Sequence, residues 1–163
     1  MFLGVVGSDA YKWLLAFHIL FAVVWVGSDV AIQIFVIRAK RAGGDRVAHF
    51  AGEIEWYGSR VLVPASLLLV ILGFILLHES SGAYDLAQGW VTFGFVVWLL
   101  SLIAGTAYLG PESGRLSKLV EERSPEDAEY QRRLSRIFLV SRIELVLLIL
   151  VVLDMSVKPA SSR

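Results

Sequence analysis

The stretch WLLAFHILFAVVWVG, Trp13 to Gly27, decides how this chain folds. It lies inside a longer apolar block that runs from Tyr11 to Ile37 and is interrupted only by isolated polar groups. About 20 apolar residues in a helix span a hydrocarbon core of ~30 Å. The block is longer than that, and too apolar for an ordinary surface helix. Its length is about twice the 7–15 residues of a signal-peptide core, and no basic segment precedes it, so it reads as a retained helix.

Three further blocks follow: Val61 to Leu77, Trp90 to Leu109 and Ile137 to Val157. The pattern predicts an all-α, four-helix transmembrane bundle forming a single integral membrane domain over 1–163, with spans at about 11–37, 60–78, 89–109 and 136–157. Composition agrees. Hydrophobic residues make up 56% and charged residues 18% of the 163, against roughly 45–50% and about 25% in soluble domains. Mean hydropathy is +0.68. The formal net charge of zero argues against a nucleic-acid partner, and with no cysteine there is neither a disulfide nor a thiolate metal site.

Charge placement sets the expected orientation. Of 15 Lys and Arg, five lie between Arg38 and Arg60 and seven between Arg115 and Arg142, while the loop from His78 to Gly89 has none. By the positive-inside rule the two basic loops are cytoplasmic and both termini are outside. The bacterial inner membrane is the expected location, with the bilayer itself the first partner. In the first basic loop Val47, Phe50, Ile54, Tyr57 and Val61 recur at helical spacing, which predicts a short interfacial helix. In the second, Ser124-Pro125-Glu126-Asp127 is a helix-start signal. One long fourth helix is expected from there, with Arg132, Arg133 and Arg136 placed for anionic headgroups. Trp13, Tyr84 and Trp90 suit an outer aromatic belt, and Trp56 and Tyr57 an inner one. Gly27 with Ala31, and Ser101 with Gly105, are small pairs that permit close helix contact.

Within the first span His18, Ala22, Trp25 and Asp29 are spaced 4, 3 and 4, so they share one helix face, with Gln33 near its edge. A polar stripe on an apolar helix turns to the bundle interior, and an ionisable group there is a functional candidate. His18 and Asp29 are ~16 Å apart along the axis and form separate sites. Arg142 and Glu144 fall near the depth of Asp29. Two outcomes are open: an Asp29–Arg142 ion pair fixing helix register, or a proton-carrying pair of carboxylates. Arg60 and His78 are five turns apart on one face unless Pro64 kinks the helix. For His18 the choice is between a neutral imidazole bonded to a neighbouring helix and a haem axial ligand. A zinc or copper site would want more nitrogen ligands than His18 and His78 supply.

The run Phe17-His18-Ile19-Leu20 with Trp25-Val26-Gly27 resembles the first helix of the domain-of-unknown-function 2269 family of predicted integral membrane proteins. Arg60 with Pro64 and Gly73, Gly110-Pro111 with Arg115-Leu116, and Asp154-Met155 with Lys158-Pro159 extend the resemblance over nearly the whole chain. More distantly the chain is similar to HemJ-type protoporphyrinogen oxidases and CopD-type membrane proteins. In the HemJ type the first-helix histidine is implicated in haem b binding and a Lys-Pro pair closes the last helix; here these are His18 and Lys158-Pro159. The Lys and His of that type's third helix have no counterpart between Trp90 and Leu109. The resemblance implies a haem-b-binding membrane protein, an electron-transfer or oxidoreductase component, with His18 as axial ligand to the haem iron and Trp25, His78 and Lys158 around the cofactor. The alternatives are an ion-coupled transporter that uses the buried carboxylates, and an accessory subunit of a homodimer or larger membrane complex.

Overall fold

Where no water reaches the backbone, each N–H and C=O must be paired within its own segment, and a long apolar run therefore becomes a helix. In the computed structural model, which describes residues 6–42, 44–122 and 127–157, all regular structure among the described residues is helical. Helix α1 spans Asp9–Ala42. Its start is capped by Ser8, whose Oγ accepts from the Tyr11 N–H at 3.2 Å. Helix α2, Gly44–Tyr57, passes through a π turn, Gly58–Leu62, into α3, Val63–His78. Helix α4, Gly89–Ile103, passes through a second π turn, Ala104–Leu109, into α5, Gly110–Glu122. Helix α6 covers Ala128–Val157. The connection between α3 and α4 is pinned by buried Ser80, whose Oγ donates to the Leu77 carbonyl at 2.7 Å and accepts from the Tyr84 N–H at 3.1 Å.

Both π turns have the same cause. A proline has no N–H to donate, and its ring collides with the carbonyl four residues back. For Pro64 that carbonyl belongs to Arg60, and for Pro111 to Ala107; each lies inside a π turn. Widening the turn moves the carbonyl aside and lets the helix continue. The ladder there closes one residue further on, from the Val63 N–H to Gly58 and from the Gly110 N–H to Gly105.

Among the described residues the chain thus forms four continuous helices. Three of them, Asp9–Arg41, Phe50–His78 and Gly89–Leu119, have membrane-crossing length and apolarity. The fourth, α6, is as long but carries Arg142, Glu144 and Asp154 in its apolar half. In the bundle α1 packs against α3, α3 against α4, α4 against α6 and α6 against α1, a closed ring. Inside it Trp25, Val97 and Leu148 are buried together, flanked by Leu69, Trp98 and Val151. Outside it large apolar side chains stand free on every helix, among them Leu20, Ile71, Leu100 and Val146. A continuous apolar exterior of that kind is the surface a helix bundle shows to lipid.

A second core sits at one end, beyond the π turns. Val47 and Ala51 of α2, Leu116 of α5, and Tyr130 and Leu134 of α6 are all buried there. This corrects two sequence expectations. Val47 and Ala51 of α2 are covered by α5 and α6 instead of lying along a membrane surface, while Phe50, Ile54 and Tyr57 of the expected stripe line a groove against α1. The second basic loop is largely helix, because Gly110-Pro111 is absorbed by a π turn. Ion pairs clamp this core: Glu112 receives Arg115 at 2.7 Å and Arg133 at 2.9 Å, and Arg133 also reaches Glu129 at 2.9 Å. Arg133 is therefore tied to protein and not set aside for headgroups. The start signal at Ser124-Pro125-Glu126 lies outside the described residues. Asp127 caps α6, its Oδ1 accepting from the Glu129 N–H at 2.7 Å.

Candidate functional site: a polar layer inside the bundle

The polar stripe of α1 does turn inward. Asp29, one turn above Gln33 and one below Trp25, is partly buried, and its Oδ2 is fully enclosed without a hydrogen-bond partner. Glu144 of α6 is partly buried too, beside Ser101 of α4, and close enough to Asp29 for the two carboxyls to interact electrostatically. Polar side chains on neighbouring turns link the helices, beside the apolar cluster of Trp25, Val97 and Leu148. Buried Gln33 donates to the Ser141 hydroxyl at 2.7 Å, joining α1 to α6. Ser28 and the Tyr57 hydroxyl lie 2.8 Å apart, joining α1 to α2. The Trp98 indole donates to the Ser66 carbonyl at 3.0 Å, joining α4 to α3. Hydrogen bonds thus tie together the helices of an otherwise apolar bundle, with the Ser28–Tyr57 pair at the groove between α1 and α2.

Arg142 does not join the two carboxyls. It is two residues from Glu144, and at 100° per residue the two point about 160° apart. With Glu144 facing in, Arg142 faces out, and it is exposed. The expected Asp29–Arg142 ion pair is not formed; among the described residues neither of the two carboxyls has a salt bridge. Arg142 instead lines a cavity with Lys40 and Arg41. The depth of these groups was readable from sequence, but Arg142 was set on the wrong face.

His18 is aimed at α3. Its Nδ1 lies 2.9 Å from the Leu69 carbonyl, and a carbonyl only accepts, so Nδ1 carries the hydrogen. In the neutral ring Nε2 then keeps the free lone pair. The imidazole lies against Gly73, where an added Cβ would stand 3.3 Å from Cε1. A backbone-tethered Nδ1 with Nε2 left over is an arrangement found in metal-ligating histidines, and it is also that of a neutral imidazole bonded to a neighbouring helix. Of the others expected around it, His78 and Trp25 lie elsewhere. His78 is exposed in the last turn of α3, about 7.5 Å along the axis beyond Gly73. Trp25 is packed into the apolar core against Val97 and Leu148. Lys158 and the side chain of His49 lie outside the described residues. Among the described residues no three His, Asp or Glu side chains gather as a metal-holding group. Arg60 falls within a π turn, which cancels the five-turn register that would have set it on one face with His78.

Ser101 and Tyr57 are the residues that sequence reading missed. Ser101 was read as a small packing residue and Tyr57 as a headgroup anchor. Their depth, level with Glu144 and Ser28 across antiparallel neighbours, was the available signal. Of the two small pairs, Gly27 and Ala31 meet no helix; they line an open groove of about 640 Å³ between α1 and α2 with Phe35, Phe50 and Trp56.

A helical ring with a greasy exterior and polar groups inside is the build of an integral membrane protein. The family model described as predicted integral membrane protein (DUF2269) matches residues 12–159, and the chain belongs to that family. No curated protein and no solved structure matches it.

Proposed function

We propose that this chain is a four-span protein of the bacterial inner membrane, with both termini outside, whose Asp29–Glu144 pair takes up a proton or a small monovalent cation as part of ion-coupled transport. The observation that carries the reading is two partly buried carboxyls on packed helices whose charges interact, with no arginine or lysine paired to either among the described residues. Two like charges that close in low dielectric repel strongly, and a proton or cation between them is the natural counter-charge. Ser101 stands beside Glu144, while the enclosed Oδ2 of Asp29 is left for the incoming ion.

The test is infrared titration of the purified protein together with ion flux in liposomes. A protonated-carboxyl band, or a sodium-dependent carboxylate band, is expected to vanish in Asp29→Asn and Glu144→Gln, and flux to fall with it. Spectra and flux unchanged in both variants reject the proposal.

A second reading keeps His18 as an axial ligand of haem b, favoured by the Nδ1–Leu69 tether that leaves Nε2 available. When bound, the haem would supply one-electron chemistry; His18 would hold and orient it. A Soret band lost in His18→Ala and kept in His49→Ala supports this reading. Colourless protein from a haem-replete host rejects it.

A further inference from the structure

The cavity between the end of α1 and the middle of α6 has an unusual lining. It encloses about 290 Å³ and is bounded by Ile37, Lys40, Arg41, Phe138 and Arg142. Three of the five are cations, none is an acid, and among the described residues none of the three cations is in an ion pair. Lys40 is held over the Phe138 ring, its Nζ 5.3 Å from the centroid. Lys40 and Arg41 occupy the last turn of α1, where they suit the negative end of the helix dipole. That accounts for two of the charges and leaves Arg142, which comes from another helix.

Arg142 is the informative group. It stands exposed on α6 between Leu139, Ile143 and Val146, which are 60%, 53% and 57% exposed. An unpaired guanidinium on a lipid-facing surface is costly, and such a side chain extends toward the nearest polar boundary. Here it reaches the cavity shared with Lys40 and Arg41. Converging like charges repel, and an anion placed among them reverses the sign of the interaction. A phosphate is the group that a planar guanidinium grips with two parallel hydrogen bonds and an ammonium supports as a point charge.

We propose that Lys40, Arg41 and Arg142 bind the phosphodiester of an anionic membrane lipid, with Ile37 and Phe138 underlying its glycerol and the first carbons of its acyl chains. The ligand chemistry, a phosphate monoanion, is shared with free phosphate. The cavity favours the lipid because it borders the exposed apolar face of α6, and basic pockets between spans on the positively charged side of a membrane protein hold such headgroups. The inference is independent of the carboxylate pair, which lies on the opposite face of α6.

Native mass spectrometry of the detergent-purified protein tests it, with phosphatidylglycerol, phosphatidylcholine and inorganic phosphate as probes. One phosphatidylglycerol is expected to stay bound where phosphatidylcholine does not, and inorganic phosphate is expected to displace it only at far higher concentration. Lys40→Gln/Arg41→Gln/Arg142→Gln should weaken retention by roughly a hundredfold and Arg142→Gln alone by roughly tenfold, one lost charge-assisted contact. Lys12→Gln/Lys118→Gln, exposed lysines outside the cavity, should leave it intact. If the triple variant does not fold, the single one decides. Undiminished retention in Arg142→Gln, equal retention of the two lipids, equal loss in the Lys12/Lys118 control, or ready displacement by inorganic phosphate each overturns the proposal.

Discussion

At Gly73 the absence of a side chain sets the position of another residue. The His18 ring stands against the place a Cβ would take, 3.3 Å from it at Cε1, and the hydrogen bond to Leu69 one turn earlier completes its seat. Gly73→Ala is expected to shift the ring by a few tenths of an ångström and to lower thermal stability by up to about 1 kcal/mol, the scale of one interhelical hydrogen bond. The shift should show in the His18 ring nitrogen resonances. Gly27→Ala is the contrasting case. Nothing lies within 4 Å of its Cβ position, so a gain of up to about 1 kcal/mol in helix propensity is expected from the same measurement. Period-3.6 counting told which residues of α1 point inward, and His18, Trp25, Asp29 and Gln33 all do. It could not tell what each meets there. A backbone carbonyl or a glycine on another helix leaves no mark in the sequence of the first, and this is why Leu69 and Gly73 were not anticipated as the neighbours of His18.

The clamp of α5 against α6 rests on Glu112. The hydrogen bond from Arg115, and behind it Arg133, hold its carboxyl below the usual range against the opposing effect of partial burial. A carboxyl whose folded value is depressed contributes stability above its ordinary range, and loses it as the pH falls through the folded value. Opening of this core, read as hydrogen exchange of its amides relative to the unfolded chain at the same pH, is therefore expected to quicken in acid below the normal glutamate range. Glu112→Gln should show the quick rate already at neutral pH, for a loss of about 1 kcal/mol. Tyr130→Ala, which empties the centre of the same core, should cost about 3–5 kcal/mol in thermal unfolding. The helical nature of α2 and α6 was legible in their apolar periodicity and the absence of glycine and proline within α6. The continuity of α4 with α5 was not, because Gly110-Pro111 reads as a break, and only a widened turn upstream lets a helix run through it. The amphipathic face of α2 was legible too, but periodicity does not say whether lipid or protein covers it; Leu116 and Tyr130, far along the chain, decide that.

For the molecule as a whole, the lopsided distribution of Lys and Arg predicts which end faces the cytoplasm. The chain has no cysteine, so single cysteines report cleanly. In intact cells Ala83→Cys, exposed between α3 and α4, should react with a membrane-impermeant maleimide, and Lys118→Cys, exposed on α5, only after permeabilisation. The opposite pattern would invert the topology. Number and placement of the long helices followed from four apolar blocks, because a hydrocarbon slab selects for length. The ring order, with α1 against α3 and α6, and the core beyond the bundle depended on contacts between distant segments and were invisible to local patterns. One consequence attaches to the two π turns. Each inserts a surplus residue beside a proline, so ring and surplus form a matched set. Replacing Pro64 alone leaves an extra residue with nothing to accommodate; deleting Ser59 alone swings α2 through about 100° and tears Val47 and Ala51 from Leu116. Making both changes together restores the phase, so each lesion repairs the other and the two are neutral only as a couple.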